Sequence, residues 1–480
     1  MPPPRKLNPQ SVWDTSAVLQ AFQEEGIKPM HAVRIWGHMI RNPGSSWHDV
    51  PDVPRAAVAL LDKYFVRFTT RVVKCQNSSD GSTTKLLVEL QDGMQVEAVI
   101  MTYEAPSRDP QLLASGAPEV DPHLPVDHRA AAEEEEDERE EGAAAQRPRQ
   151  RQQEAPGRGA ARGSGDGSSC GGGGGNAGGA GESGNRGGEA EPSSSAPSVT
   201  SAAAARLRRR STLCVSSQVG CQMGCTFCAT GTMGLKGHLN AGEIVEQLMH
   251  ARAVTRIRNI VFMGMGEPLN NYEAVRSAVS MMTDSRYFGL RRRHVTVSTV
   301  GVIPRIKQLA QDLPGVSLAL SLHAPNQELR AKIVPSARAY KLPALMDAVR
   351  SYQANSSQRV FYEYVMLSGV NDGLEQAHEL GKLLQGDDVV VNLIPWNPVY
   401  QPEGPFFEAP QDGSVAAFQS VLRHTYGLHT TVRQEMGQDI SGACGQLVIE
   451  TGGGGGGGCS REATKDIEDA VRKVKLGPVA

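Results

Sequence analysis

An α/β fold built on a parallel sheet bent into a partial (β/α)6 barrel is what the second half of this 480-residue sequence predicts. Two observations carry that expectation. From residue 206 onward, strand-like runs at 212–217, 259–263, 294–298, 316–321, 360–366 and 389–394 alternate with helical stretches at 241–253, 272–282, 343–352 and 373–384. Ahead of this core, residues 1–72 read as a small helical domain and 73–104 as a β-hairpin segment, so the barrel carries an N-terminal addition.

Within 1–72, Asp14 can cap a helix bearing Val18, Leu19 and Phe22, which Gly26 ends. Pro29 opens a second, with Met30, Val33, Trp36, Met39 and Ile40 on one side, and Pro54 opens a third with Val58, Leu61 and Phe65. These apolar positions read as core. Strands follow at 68–73, 84–90 and 96–103, with Asp92-Gly93 at a hairpin turn. Glu97 lies on the last of them, where a lone glutamate ordinarily faces water. Residues 105–205 are low-complexity: an acidic run at 133–141, then Arg/Gln-rich, Gly/Ser-rich and Ala-rich tracts. Such a composition cannot bury enough apolar area to offset ordering entropy, so disorder is expected, and Cys170 inside it reads as incidental. After the barrel strands come a helix near 415–426, a strand near 430–433 and a loop around Cys444. Residues 206–450 are read as the core, and 451–480 as a Gly-rich linker and tail.

Composition excludes several classes. The 105–205 segment holds 17 acidic and 9 basic residues, a net of −8 against −3 for the whole chain, so the remainder carries +5. That mild basicity is compatible with RNA without demonstrating it. No apolar run approaches the ~18 residues of a membrane span, and the N-terminal residues lack the apolar core of a secretory signal. Asp14, Glu24 and Glu25 fit an organellar transit peptide poorly. A cytoplasmic protein is expected, with an organelle left open. Eight unevenly spaced cysteines in so long a chain favour free thiols and a metal site over a disulfide framework.

The chemistry concentrates in Cys221-Gln222-Met223-Gly224-Cys225-Thr226-Phe227-Cys228. Three thiolates at this spacing suit an iron–sulfur cluster, and three ligands for four irons leave one iron open to a small molecule. A structural zinc site or a redox pair are the plainer readings, but zinc sites close with four ligands and no second CxxC-like knuckle lies near. Flanking motifs follow in order: Thr212-Leu213-Cys214-Val215-Ser216-Ser217-Gln218-Val219-Gly220, Gly264-Met265-Gly266-Glu267-Pro268-Leu269-Asn270, Ser321-Leu322-His323-Ala324-Pro325-Asn326, Asn392-Leu393-Ile394-Pro395-Trp396-Asn397-Pro398 and Ala443-Cys444-Gly445-Gln446-Leu447. Together with the cysteine loop they closely resemble the RlmN/Cfr family, the radical S-adenosylmethionine (SAM) methyltransferases of adenosine in RNA. Apart from 105–205, the resemblance runs from about residue 10 to about 450.

The resemblance implies a radical SAM barrel, a helical accessory domain that touches RNA, a [4Fe–4S] cluster on Cys221, Cys225 and Cys228, and SAM held by Gly266, Glu267, Ser298, Ser321, Leu322, His323 and Asn397. Taken alone, His323 would pass for an ordinary histidine, Cys214 for core and Cys444 for a small loop residue. By the resemblance, Cys444 accepts a methyl group from one SAM, and a second SAM supplies the radical that activates it. Glu97 removes the adenine C2 proton, and Cys214 attacks the sulfur of Cys444 to release product. The expected activity is C2 methylation of adenosine in large-subunit rRNA, with tRNA as a further substrate. A flavodoxin or ferredoxin would supply electrons to a monomeric enzyme. Arg206, Arg208, Arg209 and Arg210, with Arg291, Arg292 and Arg293, are candidate phosphate contacts. Met436 stands where the family text usually has arginine. Three rivals stay open: C8 methylation with the same machinery, a non-catalytic RNA-binding or assembly protein, and a radical SAM enzyme for protein or small molecules.

Overall fold

The computed structural model describes residues 5, 7–104, 209–356, 358–399, 406–434 and 436–447. The expectations for 105–205, Cys170, Arg206, Arg208 and the tail from 451 lie outside the described residues. The described residues on either side of 105–208 belong to one compact unit.

Strands rich in valine, leucine and tyrosine, buried on both faces, favour a parallel sheet covered by helices. Ten strands form it: β1 (Arg71–Asn77), β2 (Thr83–Glu89), β3 (Gln95–Glu104), β4 (Arg209–Cys214), β5 (Asn259–Phe262), β6 (Val295–Thr299), β7 (Ser317–Ser321), β8 (Val360–Met366), β9 (Val389–Pro395) and β10 (His429–Val432). Their order in space follows the chain, and the sheet stays open between β1 and β10. β4 to β10 all run parallel. The six expected barrel strands are present, and β10 joins them as a seventh, pairing Val390 with His429. β1 to β3 are antiparallel and extend the same sheet, with Val99 opposite Cys214 on β4. The hairpin thus continues the barrel wall. Its turn sits at Asp92-Gly93, where Gly93 takes φ +82° and Leu90 N–H donates to the Met94 carbonyl at 2.7 Å.

The outer layer follows from amphipathic helices. α1 (Thr15–Glu24) is capped by the Asp14 carboxylate, which accepts from Ala17 N–H at 3.1 Å. α2 (Pro29–Arg41) buries Ile35, Trp36, Met39 and Ile40, and α3 (Arg55–Tyr64) buries Leu60 and Leu61. Leu19 and Met30 are exposed rather than core, because each sits on the helix face away from the barrel layer. Trp36 donates Nε1–H to the Val12 carbonyl at 2.7 Å and meets Tyr287 edge-on at 5.7 Å. Against the barrel, α4 (Ala241–Val254) presents buried Glu246 to the backbone N–H groups of Thr69 and Thr70 and to the hydroxyls of Ser11 and Thr70. α4 can approach this closely because Gly242 carries no Cβ; one would stand 2.4 Å from that of Ser11. α5 (Tyr272–Thr283), α6 (Ile303–Asp312), α7 (Leu342–Ser356), α8 (Leu374–Leu384) and α9 (Asp412–Ser420) complete the layer. Among the described residues no helix is long and apolar enough to cross a membrane.

Candidate active site

In a barrel of this kind the carboxyl ends of the strands carry the chemistry, and the sequence motifs converge there. After β4 the chain turns through Gly220 at φ +71°, where a Cβ would lie 1.9 Å from the Gly234 carbonyl, so only glycine fits. Ser216 Oγ donates to the Glu97 carbonyl at 2.6 Å and accepts from Met265 N–H at 2.9 Å, joining the hairpin, the cysteine loop and the turn after β5. Thr226 N–H donates to the Ile333 carbonyl at 3.0 Å, and Ala229 N–H to the Gly445 carbonyl at 2.8 Å. The cysteine loop is therefore locked from both sides.

Cys221, Cys225 and Cys228 line one cleft of about 830 Å³, open to solvent. Burial pushes all three thiols up, Cys221 to about 12. As bare thiols they are poor nucleophiles; a metal centre that supplies positive charge makes them thiolates. No three His, Cys, Asp or Glu side chains among the described residues converge on a single metal ion. Three thiols on one loop at this sequence spacing are the donor set that an iron–sulfur cluster takes.

Across the cleft stand Gly266, Glu267, Ser298, Ser321 and His323. Gly266 has φ +102°, and a Cβ there would sit 2.5 Å from the Gln218 side chain. Gly266→Ala is expected to cost about 1–3 kcal/mol of folding stability through strain and to weaken SAM binding; chemical denaturation and equilibrium dialysis with labelled SAM check both. Glu267 accepts from Val300 and Leu269 N–H at 2.9 and 3.0 Å, and burial lifts its carboxyl to about 7. The Ser298 and Ser321 hydroxyls lie 3.3 Å apart. His323, at φ +60°, accepts Val365 N–H on Nδ1 at 3.1 Å, and burial lowers it to about 3, so the neutral ring carries its proton on Nε2. Phe227 packs edge-on against it at 4.8 Å.

The remaining two SAM-site candidates lie elsewhere. Leu322 is fully buried and gives its carbonyl to Arg330 Nε at 3.1 Å. Asn397 donates to the Cys444 carbonyl at 3.2 Å and accepts from Gln438 Nε2 at 2.7 Å, bracing the Cys444 loop. It lines a second cavity, about 540 Å³, shared with Cys214, Cys444, Arg433, Met436, Val99 and Met101. Cys444 faces both this chamber and the cleft. Cys214 and Cys444 are free thiols; burial raises Cys214 to about 12, and burial raises Cys444 while the Arg433 guanidinium pulls it back down.

Glu97 alternates with Val99 and Met101 along β3, so its side chain leaves on the chamber side. It is almost fully buried and pairs with Lys85 Nζ at 3.0 Å, which also donates to the Ser441 carbonyl at 3.4 Å. Lys85 was invisible to motif reading; its only signal is a lysine diagonal to Glu97 on the neighbouring strand. Asp439 accepts Ser79 N–H at 2.7 Å, tying the hairpin to the same loop. The arginine candidates behave differently. Arg210 is the second residue of β4, and Arg291 and Arg293 precede β6; together with Arg258, just before β5, their charges meet around His294, which burial and these cations lower to about 4. They gather at the amino ends of the strands, on the rim opposite the cysteines.

Residues 215–381 match the Radical SAM superfamily. The chain is 47% identical over 247 residues to the dual-specificity RNA methyltransferase RlmN 1 of Myxococcus xanthus, a match covering 50% of this chain and 68% of that protein. It is 46% identical over 243 residues to the ribosomal RNA large subunit methyltransferase N of Nitrosopumilus maritimus, again covering 50% and 68%. The crystal structure of a radical SAM methyltransferase from Sphaerobacter thermophilus superposes with a TM-score of 0.64 at 30% identity, over 92% of this chain and 99% of that one. The three-cysteine cleft, the second cysteine chamber and these matches agree: the chain belongs to the RlmN/Cfr family of radical SAM RNA methyltransferases, whose cofactors are SAM and a [4Fe–4S] cluster.

Proposed function

We propose that this enzyme methylates C2 of adenosine in large-subunit ribosomal RNA, and also in tRNA, through a methyl group carried on Cys444. The observation that carries this reading is the place of Cys444, whose side chain borders both the three-cysteine cleft and the chamber containing Cys214. Adenine C2 lies between two ring nitrogens and is electron-poor, so it cannot attack a methyl sulfonium directly. When bound on Cys221, Cys225 and Cys228, the cluster supplies the electron for one-electron SAM cleavage.

The protein's own residues do the rest. Gly266, Glu267, Ser298, Ser321 and His323 hold SAM in the cleft. The Cys444 thiolate would take a methyl from one SAM; one hydrogen of that methyl would be lost to the radical that a second SAM supplies when bound, and the remaining S–CH2 carbon would bond to C2. Glu97 then takes the C2 proton, with Lys85 balancing its charge. The Cys214 sulfur, giving up its thiol proton, attacks the Cys444 sulfur; an S–S bond forms, the S–C bond breaks with its electron pair left on carbon, and that carbon takes up a proton to become the product methyl, while the unpaired electron left by the addition to C2 would return to the cluster. Asn397 positions the Cys444 loop, and residues 1–72 serve as the accessory RNA-contacting domain. The same reading takes a one-electron donor such as flavodoxin or ferredoxin, a monomer, and a cytoplasmic setting or an organelle with a bacterial-type ribosome.

The test is nucleoside mass spectrometry after anaerobic cluster reconstitution and incubation with SAM, reductant and unmodified ribosomal RNA. 2-Methyladenosine supports the reading. 8-Methyladenosine transfers the protein to the C8 alternative, and SAM cleavage without methylated adenosine rejects this RNA as substrate.

A further inference from the structure

The helix Gln327–Ile333 lies directly behind the cysteine loop. Its last residue, Ile333, gives the carbonyl that holds Thr226, and Ile333 packs in one apolar cluster with Phe227, Cys225 and Cys228. One turn earlier the helix carries Arg330, whose guanidinium is wholly buried. Nε donates to the Leu322 carbonyl at 3.1 Å, and Nη2 to the carbonyls of Val300 at 2.6 Å and Ser321 at 3.1 Å. Nη1 has no hydrogen-bond partner among the described residues. Arg330 lines an open pocket together with Gln222 and Met223 of the cysteine loop and with Ser336, whose hydroxyl also lacks a partner among the described residues.

Neutral carbonyls orient this cation but do not neutralise it, and none of the described carboxylates pairs with it. An unpaired buried charge is costly, so the native protein needs an opposite charge within reach. The helix that carries Arg330 is tied to the cysteine loop through the Ile333 carbonyl and Thr226 N–H, and Ile333 packs with Cys225 and Cys228, so the cluster thiolates are the negative charge that this arrangement brings nearest.

We propose that Arg330 is the fixed counter-cation of the [4Fe–4S] cluster, and that its charge raises the cluster's reduction potential. The inference rests on the cluster assignment to Cys221, Cys225 and Cys228. Three thiolates outweigh the positive charge of the oxidised iron–sulfide core, and the electron delivered by a one-electron donor adds a further negative charge. A cation held in a low-dielectric site therefore stabilises the reduced form more than the oxidised form.

The test is an EPR-monitored potentiometric titration of the full chain, reconstituted anaerobically as wild type, Arg330→Gln and Arg330→Lys, with iron and sulfide determined for each. Arg330→Gln is expected to hold its cluster but, at the wild-type midpoint, to show a reduced-to-oxidised ratio about tenfold lower, a downward shift of about 59 mV for a one-electron couple. Arg330→Lys is expected to stay close to wild type, because the charge remains. Equal midpoints for wild type and a cluster-loaded Arg330→Gln would overturn the proposal and leave Arg330 as a clamp on backbone carbonyls. Should Arg330→Gln fail to fold, Ser336→Asp keeps every Arg330 bond and adds a carboxylate to the pocket that Arg330 also lines; its midpoint should fall while that of Ser336→Asn does not. An unchanged Ser336→Asp midpoint would overturn the proposal equally. A wild-type chain that binds no cluster would overturn the proposal together with the cluster assignment beneath it, an outcome told apart by the iron and sulfide content alone.

Discussion

Replacing Cys444 by alanine is expected to abolish RNA methylation, by more than about 10³-fold, while SAM is still cleaved under reducing conditions. The separation of the two effects follows from where Cys444 sits. The residues proposed to hold SAM come from the cysteine loop and the ends of β5 to β7, and Cys444 only borders the same cleft. The loop itself is held by backbone: Gly445 gives its carbonyl to Ala229 N–H at 2.8 Å, Gly442 N–H donates to the Gly437 carbonyl at 2.8 Å, and Asn397 grips the Cys444 carbonyl. Alanine preserves all of these contacts and removes only the sulfur. Serine is not expected to rescue, because its hydroxyl is a far weaker nucleophile than a thiolate. Burial holds the Cys444 thiol up and Arg433 offsets part of that, with Glu363 and Cys228 opposing Arg433. Methyl loading of Cys444 should therefore accelerate as pH rises towards the thiol pKa and slow in Arg433→Gln. Paired assays of 5′-deoxyadenosine and methylated nucleoside measure the separation.

Substituting Glu97 by glutamine is expected to slow product formation by about 10²–10⁴-fold, the range for losing a positioned general base, without reducing methyl loading of Cys444. Glu97 reaches its site because β3 extends the barrel sheet, and the alternation of the strand turns residues 97, 99 and 101 to one side. Val99 and Met101 line the Cys444 chamber. Lys85, 3.0 Å from the carboxylate and nearly buried with it, keeps Glu97 charge-balanced where an unpaired carboxylate would be costly. Lys85→Met should lower product formation about tenfold, less than Glu97→Gln, because it removes the partner and leaves the base. Quantifying S-methylated Cys444 peptide beside product nucleoside distinguishes these effects from misfolding, which would lower both.

The barrel was legible because its signal is local: strand-like runs and helices alternate with a regular period, and Cys221, Cys225 and Cys228 declare their chemistry within eight residues. Pairings between distant segments were not. β3 and β4 lie side by side, Glu104 opposite Arg209, although more than a hundred residues separate them in the chain; no local pattern encodes that ladder. Lys85 and Ser441 meet across 356 positions, so Lys85 looked like one more strand residue. Nothing in the local sequence marks Arg330, which the fold buries completely. Arg291 and Arg293 drew attention by charge alone, and strand direction then set them on the rim away from the site. Asn397 follows β9 as expected, yet its amide turns to the Cys444 carbonyl and the chamber.

The most direct test of the transfer through Cys444 is the mass of the Cys214→Ala protein after incubation with ribosomal RNA, SAM and reductant. Cys214 lines the same chamber as Cys444 and would supply the sulfur that frees the product. Without it, an RNA nucleotide should remain covalently attached to the Cys444 peptide through the transferred carbon, with free methylated RNA near background. Free methylated RNA at the wild-type level, with no adduct on Cys444, would contradict the account.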